Sequence, residues 1–222
     1  MTQIIPALLV HSEEEFKKNF QAVEHDCSLV QLDVLDNTLF PNTTWHDPKE
    51  IGVHKTDTKM EVHFMVENPI PLVEHFKQYV SGFTRAIVSA EMHRPLGAVV
   101  GHIRDIMRLS VGVAINPETP LHEIEEILHE IDQITIMSVH PGFQGQAFGD
   151  TQHLHDPSVI FEKIKQVRNH RSDLTIEIDG GVTEELIRPL MEAGADRICV
   201  GSLIFASPDP QATLQHLNSL TA

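Results

Sequence analysis

Eight short, β-branched apolar runs punctuate this chain, and segments of helical period separate them. The runs are Ile4–Val10, Leu29–Val34, Met60–Val66, Arg85–Ser89, Val111–Ile115, Gln133–Val139, Thr175–Ile178 and Arg197–Val200. Several are apolar at almost every position, the pattern of parallel strands covered on both faces. Helices are expected at Glu13–Glu24, Pro71–Tyr79, Gly97–Leu109, Leu121–His129, Val159–His170, Glu184–Ala193 and Pro210–Leu220. Only Trp45–Lys55 lacks a convincing pattern, being short and irregular. Strand–helix alternation implies right-handed crossovers and a parallel sheet. Eight such units in 222 residues favour one α/β domain over residues 1–222, a single closed (β/α)8 barrel, with a doubly wound open sheet as the competing architecture.

Local stop and start signals agree with these boundaries. Ser12 with Glu15 reads as a capping box, Thr183 and Asp209 stand where helix N-caps belong, and Gly194 follows the seventh helix as a stop. No apolar stretch approaches the ~20 residues needed to span a bilayer. The segment Met1–Val10 has no basic residue ahead of its apolar run, so no signal peptide is expected there. Cys27 and Cys199, the only cysteines, read as free buried thiols of a reducing, cytoplasmic setting. A formal charge of −16 opposes a nucleic-acid backbone as partner. An anionic substrate must then be held by local groups.

A barrel carries its chemistry at the C-terminal ends of its strands. Strand two offers Gln31 and Asp33, strand three His63 and Met65, and strand six runs through Met137 into His140-Pro141-Gly142-Phe143-Gln144-Gly145. Strand seven ends in Asp179-Gly180-Gly181, and strand eight ends in Gly201-Ser202. Gly142, Gly145, Gly180, Gly181, Gly201 and Ser202 occupy three consecutive loops and could turn backbone N–H groups toward one phosphate. A glycine pair alone is an ordinary turn; three adjacent loops together are not. Asp33, His63 and Asp179 face a common mouth and suit a divalent cation, with the Gln31 amide oxygen as a further donor. His63 alone would read as a hydrogen-bonded core histidine. Asp33 is harder to explain as structure, because an inward carboxylate at a buried strand end needs a partner.

These residues resemble the ribulose-phosphate 3-epimerase family from about Ile4 to Ser207. The most specific stretch is Ile136-Met137-Ser138-Val139-His140-Pro141-Gly142-Phe143-Gln144-Gly145-Gln146. Ile176–Gly181, Val200–Phe205, Val62–Pro69 and Asn116–Pro120 align in the same order. The resemblance implies movement of the C3 proton of a ketopentose phosphate, with Asp33 and Asp179 as alternating base and acid. It also implies a divalent metal (zinc, iron, manganese or magnesium) near Asp33, His63 and Asp179, substrate contacts from Met65, Met137, His140 and Phe143, and a homo-oligomer. The departures lie at the site. Gln31 stands where the family has a metal histidine, Ala7 replaces a substrate-touching serine, and His140 replaces an asparagine. Ser89 takes a histidine position, Thr38 falls in an altered loop after strand two, and Gly149–Pro157 is longer, with His153 and His155. A non-catalytic phosphosugar-binding barrel is therefore the alternative. A decarboxylase or hexulose-phosphate synthase is disfavoured, since Asp33-Val34-Leu35-Asp36-Asn37-Thr38 lacks their lysine.

Overall fold

Strand β1 (Gln3–Leu8) pairs in parallel with both β2 (Leu29–Leu35) and β8 (Arg197–Val200), and this double pairing closes the sheet. In the computed structural model, which describes residues 2–54, 56–143, 145–149 and 156–221, all eight strands follow in chain order around a closed barrel. The remaining strands are β3 (Lys59–Met65), β4 (Phe83–Ser89), β5 (Ser110–Ile115), β6 (Gln133–Met137) and β7 (Thr175–Asp179). The open-sheet alternative is excluded. His153 and His155 lie outside the described residues.

Strand alternation divides the molecule chemically. On β2, Val30, Leu32 and Val34 point outward into the core shared with the helices, while Gln31 and Asp33 reach across the barrel interior. The helices answer with apolar stripes; in α1 (Glu13–Val23), Phe16, Phe20 and Val23 are the buried residues. The Ser12 side chain accepts the Glu15 N–H at 3.1 Å, and Glu15 reaches back to the N–H of His11 at 2.7 Å. This is a capping box displaced by one residue. The short α2 (Pro48–Gly52) forms inside the poorly patterned segment because Asp47 accepts from the N–H groups of Lys49 and Glu50. Next come α3 (Ile70–Tyr79), α4 (Leu96–Gly101), α5 (Ser158–His170) and α6 (Glu184–Ala193), then α7 (Ser202–Phe205) and α8 (Pro210–Ser219).

Three expectations are corrected. The segment Gly97–Leu109 is α-helical only to Gly101 and continues as a wider π-helical turn over His102–Ile106. Two glycines and the β-branched Val99, Val100 and Ile103 weaken the regular helix there, and the wide turn still buries Ile103. Leu121–His129 is two 3-10 turns, Leu121–Glu123 and Glu125–Ile127. Of its buried residues Leu121, Ile124, Ile127 and Leu128, the first three are spaced by three, as the three-residue turn allows. Thr183 makes no side-chain cap bond; Glu184 and Glu185 in the first turn of α6 complement the helix dipole there. Asp209 does cap α8 through the Ala212 N–H at 3.0 Å, and Gly194 ends α6 with φ of 109°.

The floor of the barrel interior is polar and largely paired within itself, with Glu61 Oε1 and Glu177 Oε2 left without a partner among the described residues. Glu61 Oε2 accepts from Arg85 at 2.8 Å and from Arg197 at 3.1 Å. Arg197 also donates to Gln133, whose amide donates to Glu177 at 2.8 Å, with Thr135 adding a second bond at 2.9 Å. Burial and the neighbouring Glu61 hold the Glu177 carboxyl well above the ordinary range.

Candidate active site

One inward step above this floor, the registers set Asp33 beside His63 and Asp179 beside both Met137 and Cys199. Asp33 and Asp179 come from β2 and β7 and meet over a single side chain. Gln31 Nε2 donates to Asp33 Oδ1 at 2.9 Å and to Asp179 Oδ2 at 2.7 Å. His63 faces the same two oxygens, with Nδ1 at 3.8 Å from Asp33 and 3.6 Å from Asp179. These separations are too long for hydrogen bonds. Both ring nitrogens of His63 are buried without a hydrogen-bond partner among the described residues.

Burial and the charge of Asp179 push the Asp33 carboxyl up to about 7, against smaller opposing effects from His63 and Gln31. For His63, burial works against the charged imidazolium, but the nearby carboxylates of Asp179 and Asp33 outweigh it and raise its pKa. The mouth is thus a concentration of negative charge with no lysine or arginine paired to it among the described residues. Ligand atoms of Asp33, His63 and Asp179 lie within 4.8 Å of one another. An orphaned buried imidazole facing two carboxylates is the donor set that a divalent cation satisfies, so these three residues fit one. Gln31 belongs to the cluster but not in the expected orientation: its NH2 group faces the carboxylates, while its oxygen accepts the Cys199 thiol at 3.3 Å.

The cavity above the carboxylates is lined by Met65 and Met137, by Gly142, Phe143 and Gly145, and by Gly180, Gly181, Gly201 and Ser202. The three glycine loops are therefore brought together beside Asp33 and Asp179, as their order along the sheet suggested. Gly181 has φ of 61°, and a Cβ there would lie 2.5 Å from the Phe148 nitrogen and 2.7 Å from the Gln146 oxygen. Only glycine lets loops six and seven approach so closely. Gly201 precedes the short α7, which sequence periodicity did not single out. His140, expected to touch substrate, instead packs edge-on against Phe40 with ring centroids 6.2 Å apart, and does not line the cavity.

Several lining residues were missed. Leu9, Val139 and Cys199 enter by strand alternation, a signal present in the sequence. Gln146 holds its own loop by donating to the carbonyls of His140 and Phe143 at 2.8 and 2.9 Å. Asn42 ties the loop after β2 to the Gly142 carbonyl at 2.5 Å. Neither of those two contacts has a periodic signature.

The fold and site define a (β/α)8 enzyme-type barrel with an acidic mouth beside a glycine cradle. The model of the ribulose-phosphate 3 epimerase family matches residues 3–205, and the chain belongs to that family. It is 29% identical to a ribulose-phosphate 3-epimerase of Bacillus subtilis, with 98% of each chain covered. It is 35% identical to one of Chlamydia muridarum, over 82% of this chain and 78% of the relative. Among solved structures, 3-hexulose-6-phosphate synthase from Salmonella typhimurium superposes with a TM-score of 0.72 at 13% identity, covering 99% of this chain and 98% of that one. KGPDC from Streptococcus mutans also superposes at 0.72, with 10% identity, covering 99% of this chain and 96% of that one. At such identities these two structures speak for the fold alone. No helix among the described residues is long and apolar enough to cross a membrane.

Proposed function

We propose that the chain epimerises a ketopentose phosphate at C3, interconverting ribulose 5-phosphate and xylulose 5-phosphate. The observation that carries this reading is the pair of buried carboxylates, from β2 and β7, converging above the barrel floor beside the glycine cradle. Epimerisation needs one base to take the C3 proton and one acid to return a proton to the other face. Asp33 on β2 and Asp179 on β7 would hold those roles and exchange them in the reverse direction. A carboxyl near 7, as at Asp33, can be either base or acid at neutral pH.

The N–H groups at Gly142, Gly145, Gly180, Gly181, Gly201 and Ser202 would hold the phosphate end, fixing C3 between the carboxylates. Met65, Met137 and Phe143 would pack on the carbon skeleton. Asp33, His63 and Asp179 would hold a divalent cation; when bound, it supplies positive charge that stabilises the oxygens of the deprotonated substrate. The family membership and the full-length relatives named as epimerases support the same reading.

A phosphosugar-binding barrel without turnover is favoured by one observation, the Gln31 amide set between the two carboxylates. A single experiment separates the two. Protein supplied with manganese is mixed with ribulose 5-phosphate in D2O and followed by proton NMR. Catalysed loss of the C3 proton signal with appearance of xylulose 5-phosphate supports the epimerase. Saturable binding without exchange supports the non-catalytic barrel.

A further inference from the structure

We propose that Gln31 is a lock on the cation site, which a cation opens by turning the amide over, and that this shifts the site's preference away from zinc toward oxygen-preferring cations such as manganese. The proposal rests on reading Asp33, His63 and Asp179 as a cation site. A cation held by Asp33 and Asp179 would need the space between their carboxylate oxygens. In this structure the position between those oxygens is taken by the two N–H groups of Gln31, at 2.9 and 2.7 Å.

The orientation of the amide follows from its neighbours. Turned over, Gln31 Oε1 would face two carboxylate oxygens with no hydrogen between them, a repulsive contact in a buried site. It would also give up the Cys199 thiol, which donates to Oε1 at 3.3 Å. With Asp33, Asp179 and Cys199 all favouring the present orientation, the amide acts as the site's own neutral substitute for a cation. A cation reverses that preference. The turned amide then presents Oε1 as a ligand, giving three oxygen donors and the single nitrogen of His63. Amide and carboxylate oxygens suit harder cations, whereas imidazole nitrogen suits zinc. The lock therefore opposes every cation and opposes zinc most, because zinc gains least from the oxygen that the turned amide offers.

The test titrates metal-stripped protein with zinc and with manganese by calorimetry, for the native chain, Gln31→His and Gln31→Ala. Unfolding midpoints check that each variant is folded, and either variant alone decides the matter. The ratio of zinc to manganese affinity is expected to rise at least tenfold in Gln31→His, the scale on which changes around a bound metal act. Gln31→Ala, which removes lock and oxygen together, is expected to strengthen zinc and weaken manganese. An unchanged ratio in either folded variant would overturn the lock while leaving the cation site standing. If no form binds either cation, the cation site fails, and the lock with it.

Discussion

The floor and the mouth of this barrel are built from the same strands, yet they treat charge in opposite ways. At the floor, Glu61 lies between Arg85 and Arg197, and Glu177, its pKa raised by burial and by Glu61, accepts from Gln133 and Thr135. Two residues further along those strands, His63 and Asp179 join Asp33 with only the Gln31 amide between the carboxylates. The floor supplies its own cations, Arg85 and Arg197. Among the described residues the mouth has no such cation, and both ring nitrogens of His63 stand there without a hydrogen-bond partner. Buried charge left short of a partner is costly, and such sites persist where a ligand or a reaction makes use of them.

That contrast predicts effects of opposite sign. Glu61→Ala should leave two guanidinium groups unpaired at the floor and destabilise the protein by about 3 kcal/mol, measured by urea unfolding. No loss would mean that the floor is not held by this pairing. At the mouth, Asp33→Asn should stabilise metal-free protein by roughly 2 kcal/mol at pH 8, because it removes one of two repelling charges. The pH dependence follows from the direction of the shift. A carboxyl raised from 3.8 to about 7 favours the folded state below its unfolded value, and that contribution is lost as pH rises through 7. The advantage of Asp33→Asn should thus shrink to almost nothing at pH 4. A constant advantage across that range would break the comparison. The smallest effect is expected beside the mouth, at Gly181→Ala. Displacing loops six and seven there should weaken inorganic phosphate binding about tenfold, the scale of one strained backbone position, as read by calorimetry.

Much of this arrangement was legible in the sequence because strand alternation is a strict rule. Once β2, β3 and β7 are located, Asp33, His63 and Asp179 must share the barrel interior with the strand-end loops, and the structure brings them together. The glycine loops were legible for a similar reason, since strand order makes them neighbours. What escaped depends on three-dimensional choices with several local solutions. Which atom of Gln31 faces the carboxylates is decided together by Asp33 and by the distant Asp179 and Cys199, on β7 and β8. His140 has a motif position but is drawn to Phe40, a contact that only the folded loop after β2 provides. The spacing of Leu121, Ile124 and Ile127 was visible, yet it fits a 3-10 turn as readily as the α-helix expected there.

The central claim is that Asp33 and Asp179 serve opposite faces of one carbon. Deuterium incorporation at C3 of ribulose 5-phosphate, followed with Asp33→Asn and Asp179→Asn under saturating manganese, tests it most directly. Each variant should lose epimerisation by about 10²–10⁴-fold, the range of a removed acid or base. Because each would retain the base for one isomer, exchange without inversion should survive preferentially from ribulose 5-phosphate in one variant and from xylulose 5-phosphate in the other. Epimerisation at the native rate in either variant would contradict the two-carboxylate account.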